Sequence, residues 1–263
     1  MHQHLADTYE GADLTDEVKR ARQLNDSSRV SFLKHLLRVA DQVRQTTGAT
    51  SDEIAAAMIW MLADGRVELT EVPKFYRRFA PLLATLNFRL VNIGADAVTA
   101  AALYGSESTG AATATQDRAT KQSAEHVLQN GANGYPLAET VAKQITKAGS
   151  DLSARSRRAA LLGEAHTLLK RDIRSITSQA LSDATISAIN HEANGAYNRA
   201  IRLATTGNSR VTGYRWVLSA AHTKRLGCVC EDMAGRTFSK NAPELEMFPP
   251  HNFCMCSLAP VVE

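Results

Sequence analysis

Four cysteines stand in two tight pairs near the C-terminal end of the sequence, Cys228-Val229-Cys230 and Cys254-Met255-Cys256, with Pro249-Pro250-His251 just ahead of the second pair. Thiolate sulfur and imidazole nitrogen are ligand types that zinc takes, commonly four at a time in a tetrahedron. Cys228, Cys230, His251, Cys254 and Cys256 are therefore candidate metal ligands, with His222 a further one. The commonest zinc spacing is Cys-x-x-Cys; Cys-x-Cys in an extended segment also puts both side chains on one face, and is less diagnostic. Two other readings fit the same residues. Reduced thiols can pack as small hydrophobic groups, or a disulfide can join the pairs if their segments run side by side. A cysteine with a histidine neighbour is also the raw material of a thiol nucleophile, although four clustered cysteines suit a structural role better. A structural zinc would supply on the order of 10 kcal/mol of apparent binding energy to a module too short to bury much core of its own.

The elements that must position these residues can be read from periodicity. Residues 1–26 form a polar arm, helical or loose. Val30, Leu33, Leu37 and Ala40 recur at helical spacing and predict a helix from Ser27, closed by Gly48. Thr50-Ser51-Asp52-Glu53 has the form of a capping box and opens a second helix carrying Ile54, Met58, Met61 and Leu62, stopped by Asp64-Gly65. Val72-Pro73 opens a third through Phe75, Phe79, Leu82, Leu83 and Leu86, in which Pro81 is expected to make a kink or a break. Another helical stretch follows from Asn87 to about Leu103. Met58, Trp60 and Met61, beside Ala55, Ala56 and Ala57, read as core or subunit contacts.

From Gly105 to Gly134 the chain turns to Ala, Thr, Ser, Gly and Gln, which predicts a long loop or a thinly packed helix tied down by a neighbour. Helix resumes over 137–175 with an interruption near Gly149-Ser150. Ile189, Ala193, Ala196, Ala200 and Leu203 then mark a clear helix ended by Gly207-Asn208. The period next drops to two: Tyr214, Trp216 and Leu218 alternate with Arg215, Val217 and Ser219, the pattern of a strand. Ala234-Gly235-Arg236 reads as a turn into a second extended segment at Thr237-Phe238. The expected fold is mainly α with a small α+β C-terminal module, in which a helix is followed by a short antiparallel β-structure. The organisation expected is a helical region over 1–105, a linker over 106–136, and a helical segment leading into the C-terminal module over 137–263.

Composition narrows the function classes. The net charge of +3 is mild and does not itself call for nucleic acid. No apolar run approaches the ~20 residues a membrane helix needs, so no membrane role is expected. The opening residues lack a charged-then-apolar leader, which favours reduced thiols or a metal over a disulfide framework. His191-Glu192 begins like a zincin motif, but Gly195 stands where the second histidine is required. Gly105-Ser106-Glu107-Ser108-Thr109-Gly110 is one residue too long for a nucleophile elbow, and no phosphate loop with Lys and Ser/Thr supports nucleotide hydrolysis. The basic stretch from Lys143 to Arg174 holds Arg155, Arg157, Arg158, Lys170 and Arg171, which could meet DNA phosphates. The competing reading is a solvated helix face that also carries Glu139, Glu164 and Asp172.

The order of residues across roughly 176–263 carries a resemblance. A helix with His191-Glu192 and Asn198 is followed by a strand with Trp216, then Cys228-x-Cys230, the Gly235 turn, and Pro249-Pro250-His251-x-x-Cys254-x-Cys256. This resembles the C-terminal domain of phage minor head proteins, the Mu F-like head morphogenesis family. That family closes on Pro-Pro-x-His-Pro-x-Cys-Arg-Cys after a strand tryptophan and a Cys-x-x-Cys. Here the residue between the prolines and the histidine is missing, Asn252 replaces a proline, Met255 replaces the arginine, and Cys228 sits one place off. Cys230, His251, Cys254 and Cys256 therefore match more closely than Cys228. The resemblance implies a non-catalytic virion component, made in the bacterial cytoplasm and placed in several copies in the head near the portal vertex. Its implied partners are the portal protein or the major capsid protein, with packaged DNA nearby. A zinc-stabilised nucleic-acid-binding protein and a cysteine-dependent enzyme or toxin module are the readings from other classes.

Overall fold

The computed structural model describes residues 18–19, 22, 26–63, 72–132, 134–163, 171–219, 229–245, 248–250 and 254–263. Helices α1 (Ser27–Ala63), α2 (Val72–Glu107), α3 (Thr113–Asn130) and α4 (Leu137–Leu162) come first. A π-helical segment, Ser175–Ala180, runs straight into α5 (Leu181–Thr205). The C-terminal module then consists of β1 (Val211–Val217), a single helical turn α6 (Cys230–Met233), β2 (Thr237–Ser239), a 3-10 turn (Pro243–Leu245) and β3 (Ser257–Val262). The fold is thus mostly helical, with a small antiparallel sheet after a helix, as the change of period from 3.6 to 2 predicts.

Helix α1 starts where Asp26 accepts the Arg29 backbone N–H on its side chain at 2.8 Å, an N-cap bond. Two expectations for this helix fail. Gly48 does not end it, and the Thr50 capping box does not form. Thr50 Oγ1 instead donates back to the Thr46 carbonyl at 3.1 Å, as Thr47 Oγ1 does to Val43 at 2.9 Å. These back-bonds satisfy the hydroxyls inside a continuous helix. A mid-helix glycine costs only about 1 kcal/mol, and buried Val43, Ile54 and Ala55 on either side hold the helix across it. Likewise Pro81 lies within α2 without dividing it. It is exposed, while Phe79, Leu83, Leu86 and Leu90 keep one buried face in register past it. Gly149-Ser150 does not interrupt α4, where Val141, Ile145, Ala148 and Leu152 stay buried on a helical period. Within the small-residue stretch 106–136, α3 is a helix rather than a loop, tied down by Ser123, whose hydroxyl donates to the Ala196 carbonyl at 2.7 Å. Met58, Trp60, Met61 and Leu62 as side chains, and Lys170, His222, Cys228 and His251 altogether, lie outside the described residues.

Two compact units are present, neither of them one continuous stretch of sequence. Of the described residues, the first takes those within 40–93 and 138–186; the second takes those within 18–39, 94–137 and 187–263. In the first, the π-helical segment faces α1: Thr177 Oγ1 donates to Ser51 Oγ at 2.8 Å, and the Arg174 guanidinium meets Asp52 at 2.8 Å. The second unit holds all three strands, in the order β2-β1-β3 with every pairing antiparallel. Tyr214 pairs with Phe238 on one side and Pro260 on the other. The alternation predicted for β1 is present: Tyr214 and Trp216 are buried and Arg215 is exposed. Trp216 packs edge-on against Phe248, ring centroids 4.5 Å apart, and Tyr214 Oη shares a 2.7 Å bond with Thr205 Oγ1 at the end of α5.

Helix α5 is the spine of this second unit, and small residues let its neighbours approach. A Cβ at Gly105 of α2 would fall 2.2 Å from the Tyr197 carbonyl oxygen. That obstacle is backbone and cannot swing aside. Gly105→Ala should therefore cost about 1–3 kcal/mol, the range for overpacking a tight contact, read as a lower urea midpoint with an unchanged m-value.

Candidate metal centre

The closing segment reaches its place through side chains, because residues 254–256 precede β3 and lie outside the sheet ladder. Buried main-chain carbonyls need donors, and α5 supplies them. Asn194 Nδ2 donates to both the Cys254 and Cys256 carbonyls at 2.9 Å. One turn on, Asn198 Oδ1 accepts the Leu258 N–H at 2.8 Å, and its own Nδ2 donates to the Asn194 carbonyl at 2.8 Å. The Met255 carbonyl between the two cysteines takes the Arg29 Nη2 at 2.7 Å, and Arg29 Nη1 bonds Asn194 Oδ1 at 3.3 Å. Arg29 is only 5% exposed. Its guanidinium lies 5.0 Å from the Phe32 ring centroid and 4.9 Å from that of Tyr197, and those two rings stack at 4.7 Å. Carbonyl dipoles and aromatic faces thus replace the water that the cation has lost.

This clamp presents Cys254 and Cys256 to Cys230 at the start of α6. All three are buried, and their sulfurs all lie within 4.8 Å of one another. The Cys230 and Cys254 sulfurs are 3.7 Å apart, far beyond the ~2.05 Å of a disulfide. Among the described cysteines the disulfide reading is therefore corrected to free thiols gathered into one cluster. Three close buried thiols of this kind can bind a metal ion.

The electrostatics favour one deprotonated sulfur. Hydrogen bonds from Cys230, then from Cys254, hold the Cys256 thiol well below its ordinary range, against burial, with the Ser219 backbone N–H also lowering it. The Cys230 thiol is pushed up, first by its bond to Cys254, then by its bond to Cys256 and by burial. The Ser219 backbone N–H is thus placed to support a thiolate. N–H groups around a metal-bound thiolate act in the same way, by fixing its orientation and charge.

The sequence-predicted ligands divide cleanly. Cys230, Cys254 and Cys256 converge; Cys228 and His251 lie outside the described residues. Of the basic residues singled out, Arg155 donates to Asp172 at 2.7 Å, and Arg171 lies 3.9 Å from the same carboxylate. Arg157 and Arg158 are exposed on α4, and Lys170 lies outside the described residues. Lys143 and Lys147 of the same stretch meet Glu139 and Asp151 at 3.0 and 2.7 Å. Much of the positive charge here is balanced locally. Sequence reasoning passed over Arg29 and Asn194. Asn194 and Asn198, four residues apart on one face of α5, were the available signal; nothing at the start of α1 marks Arg29.

His191 and Glu192 are buried rather than displayed for catalysis. Glu192 accepts the Ala132 N–H, while its Oε1 has no hydrogen-bond partner among the described residues.

No protein-family model, curated protein or solved structure matches the chain.

Burial pushes the Glu192 carboxyl up from 4.5 to about 7, against the Ala132 bond, which lowers it. Between those values the folded state binds the proton and the unfolded state does not, so stability falls as pH rises through this window. Glu192→Gln should remove much of that fall, seen by comparing urea midpoints at about pH 5 and about pH 8. An equal drop in parent and variant would mean that the carboxyl ionises in the fold as it does in water.

Proposed function

We propose that this chain is a structural component of a bacteriophage head, a minor head protein that acts in capsid assembly at the portal vertex or inner capsid. The observation that carries the reading is the clamp on residues 254–258. The part of the chain that resembles the head morphogenesis family is the part that Asn194, Asn198 and Arg29 hold in place. A segment fixed by buried polar bonds from α5 and from Arg29 at the start of α1 makes a rigid module suited to docking. Burial of Cys230, Cys254 and Cys256 favours a holding role over nucleophilic attack, which needs an accessible thiolate. The proposed partners are the portal protein or the major capsid protein, met in the host cytoplasm during assembly, with several copies entering each virion near the packaged DNA.

The proposed ion is zinc. Tetrahedral zinc at about 2.3 Å from each sulfur separates two sulfurs by about 3.8 Å, and Cys230 and Cys254 stand at 3.7 Å. Cys256 is the third ligand, and the fourth is to be sought in Cys228 or His251. Zinc here would tie α6 to the segment before β3. The centre is structural, so removing the ion should loosen the module without abolishing any reaction.

Elemental analysis should find about one zinc per chain, reduced together with thermal stability in Cys254→Ser and Cys256→Ser. A metal-free preparation with the parent's unfolding midpoint would remove zinc from the account and leave the assembly reading standing.

The assembly reading has its own test. Co-expressed with portal and capsid proteins, the tagged chain should co-sediment with procapsids, and should still do so after nuclease treatment. Retention on DNA alone, with a steep salt dependence and no association with particles, would replace it with the nucleic-acid-binding reading.

A further inference from the structure

The second unit also contains a cavity of about 700 Å³, lined from α3, α5 and the chain after β2. Arg199 and Arg202, three residues apart on one face of α5, both reach it, and Lys240 enters from the sheet side. Among the described residues no carboxylate forms an ion pair with any of these three cations, and none lines the cavity. Elsewhere in the chain Arg44, Arg155 and Arg174 each have such a partner.

The three cations are held without being neutralised. Arg202 Nη1 donates to the Leu245 carbonyl at 2.6 Å, and Lys240 Nζ to the Asn208 carbonyl at 2.6 Å. Each bond fixes a position and leaves further donors unused. Arg199 Nε is buried with no hydrogen-bond partner among the described residues. Burial and then the charge of Arg202 make the protonated Arg199 costlier than it would be in water. Holding two guanidiniums together at the mouth of a cavity is unfavourable until an anion arrives.

We propose that this cavity binds a phosphate-bearing small molecule, with Arg199, Arg202 and Lys240 taking the phosphate group. A phosphate monoester carries about −1.5 to −2 charges at neutral pH and three acceptor oxygens, which a cluster of three cations matches better than a single carboxylate does. The volume exceeds what a bare phosphate fills and lies inside the ~300–1,000 Å³ typical of small-molecule sites. Leu203, Leu245, Phe248 and Leu258 also line the cavity and offer apolar surface to the body that carries the phosphate. His126, whose imidazole is held below its ordinary pKa first by burial and then by Arg199, enters as a neutral hydrogen-bonding group rather than a fourth cation. None of the three cysteines lines the cavity, although Asn198 and Leu258 of the clamp do, and the phosphate contacts require neither zinc nor a place in the phage head.

Calorimetry on the full chain in low chloride tests the idea with inorganic phosphate, a nucleoside 5′-monophosphate, the unphosphorylated nucleoside and a short single-stranded DNA. The monophosphate should bind saturably and at least about tenfold more tightly than the nucleoside, one decade being the step that a lost charge-assisted contact produces. Arg199→Gln should weaken that binding by about tenfold or more and, by relieving Arg202, should raise the unfolding temperature of the ligand-free protein. Lys121→Ala, on the exposed face of α3, should change neither. No saturable binding of phosphate or monophosphate, equal affinity in Arg199→Gln, or binding of the DNA alone would each overturn the proposal.

Discussion

The backbone carbonyls of Cys254, Met255 and Cys256 must lose water without gaining a strand partner, and the rest of the C-terminal module depends on how that is solved. One helix amide, that of Asn194, and one arginine, rather than a sheet, satisfy them. A net gain of about 0.5–1.5 kcal/mol per hydrogen bond, rising toward 3 for a charged donor, is modest. Loss of a donor is not modest, since each orphaned buried carbonyl costs ~1–3 kcal/mol. The arrangement is therefore more specific than it is strong: few other placements of this segment leave every carbonyl paired.

The same constraint accounts for the arginine. Arg29 sits at the start of α1, one turn before Phe32, so its guanidinium can reach the Met255 carbonyl while lying on the Phe32 and Tyr197 rings. A lysine could not give one donor to Met255 and another to Asn194 from a flat, weakly hydrated head. Tyr197 belongs to the same α5 face as Asn194 and Asn198. One helix surface thus carries the aromatic bed for the cation and the amides for the chain, and the thiol cluster follows from that placement. The sulfurs meet because the backbone beneath them has nowhere else to go.

Much of the architecture was legible because helices with a buried stripe and strands with alternation write their periods into the sequence. Phe79, Leu83, Leu86 and Leu90, and Tyr214 with Trp216, are examples. Local punctuation was less dependable. Gly48, the Thr50 box, Pro81 and Gly149 all resemble stops, yet each is overridden where apolar residues on both sides stay buried on one face. The thiol site was half legible: the cysteine spacing announced it, but not the side chains that clamp the backbone beneath the sulfurs. Arg29 and the cationic cavity were not legible, because both are made by residues far apart in sequence whose individual types look ordinary. An arginine in the first turn of a helix, and two arginines on another, carry no sign of what folding places beside them.

The discontinuous build of the second unit bears on the order in which the protein can form. Arg29 and the Met255 carbonyl it holds are 226 residues apart, and β1 pairs along its length with β3, close to the last residues of the chain. Contacts of such long sequence separation form slowly, because much of the loop-closure entropy must be lost before they contribute. On the ribosome, the Arg29–Phe32 end of α1 emerges before residues 254–262 and must wait until they have been made. During that interval an apolar face and an unpaired strand edge stand open, a period of exposure in which a chaperone or an assembly partner could engage the chain before its own C-terminal segment does.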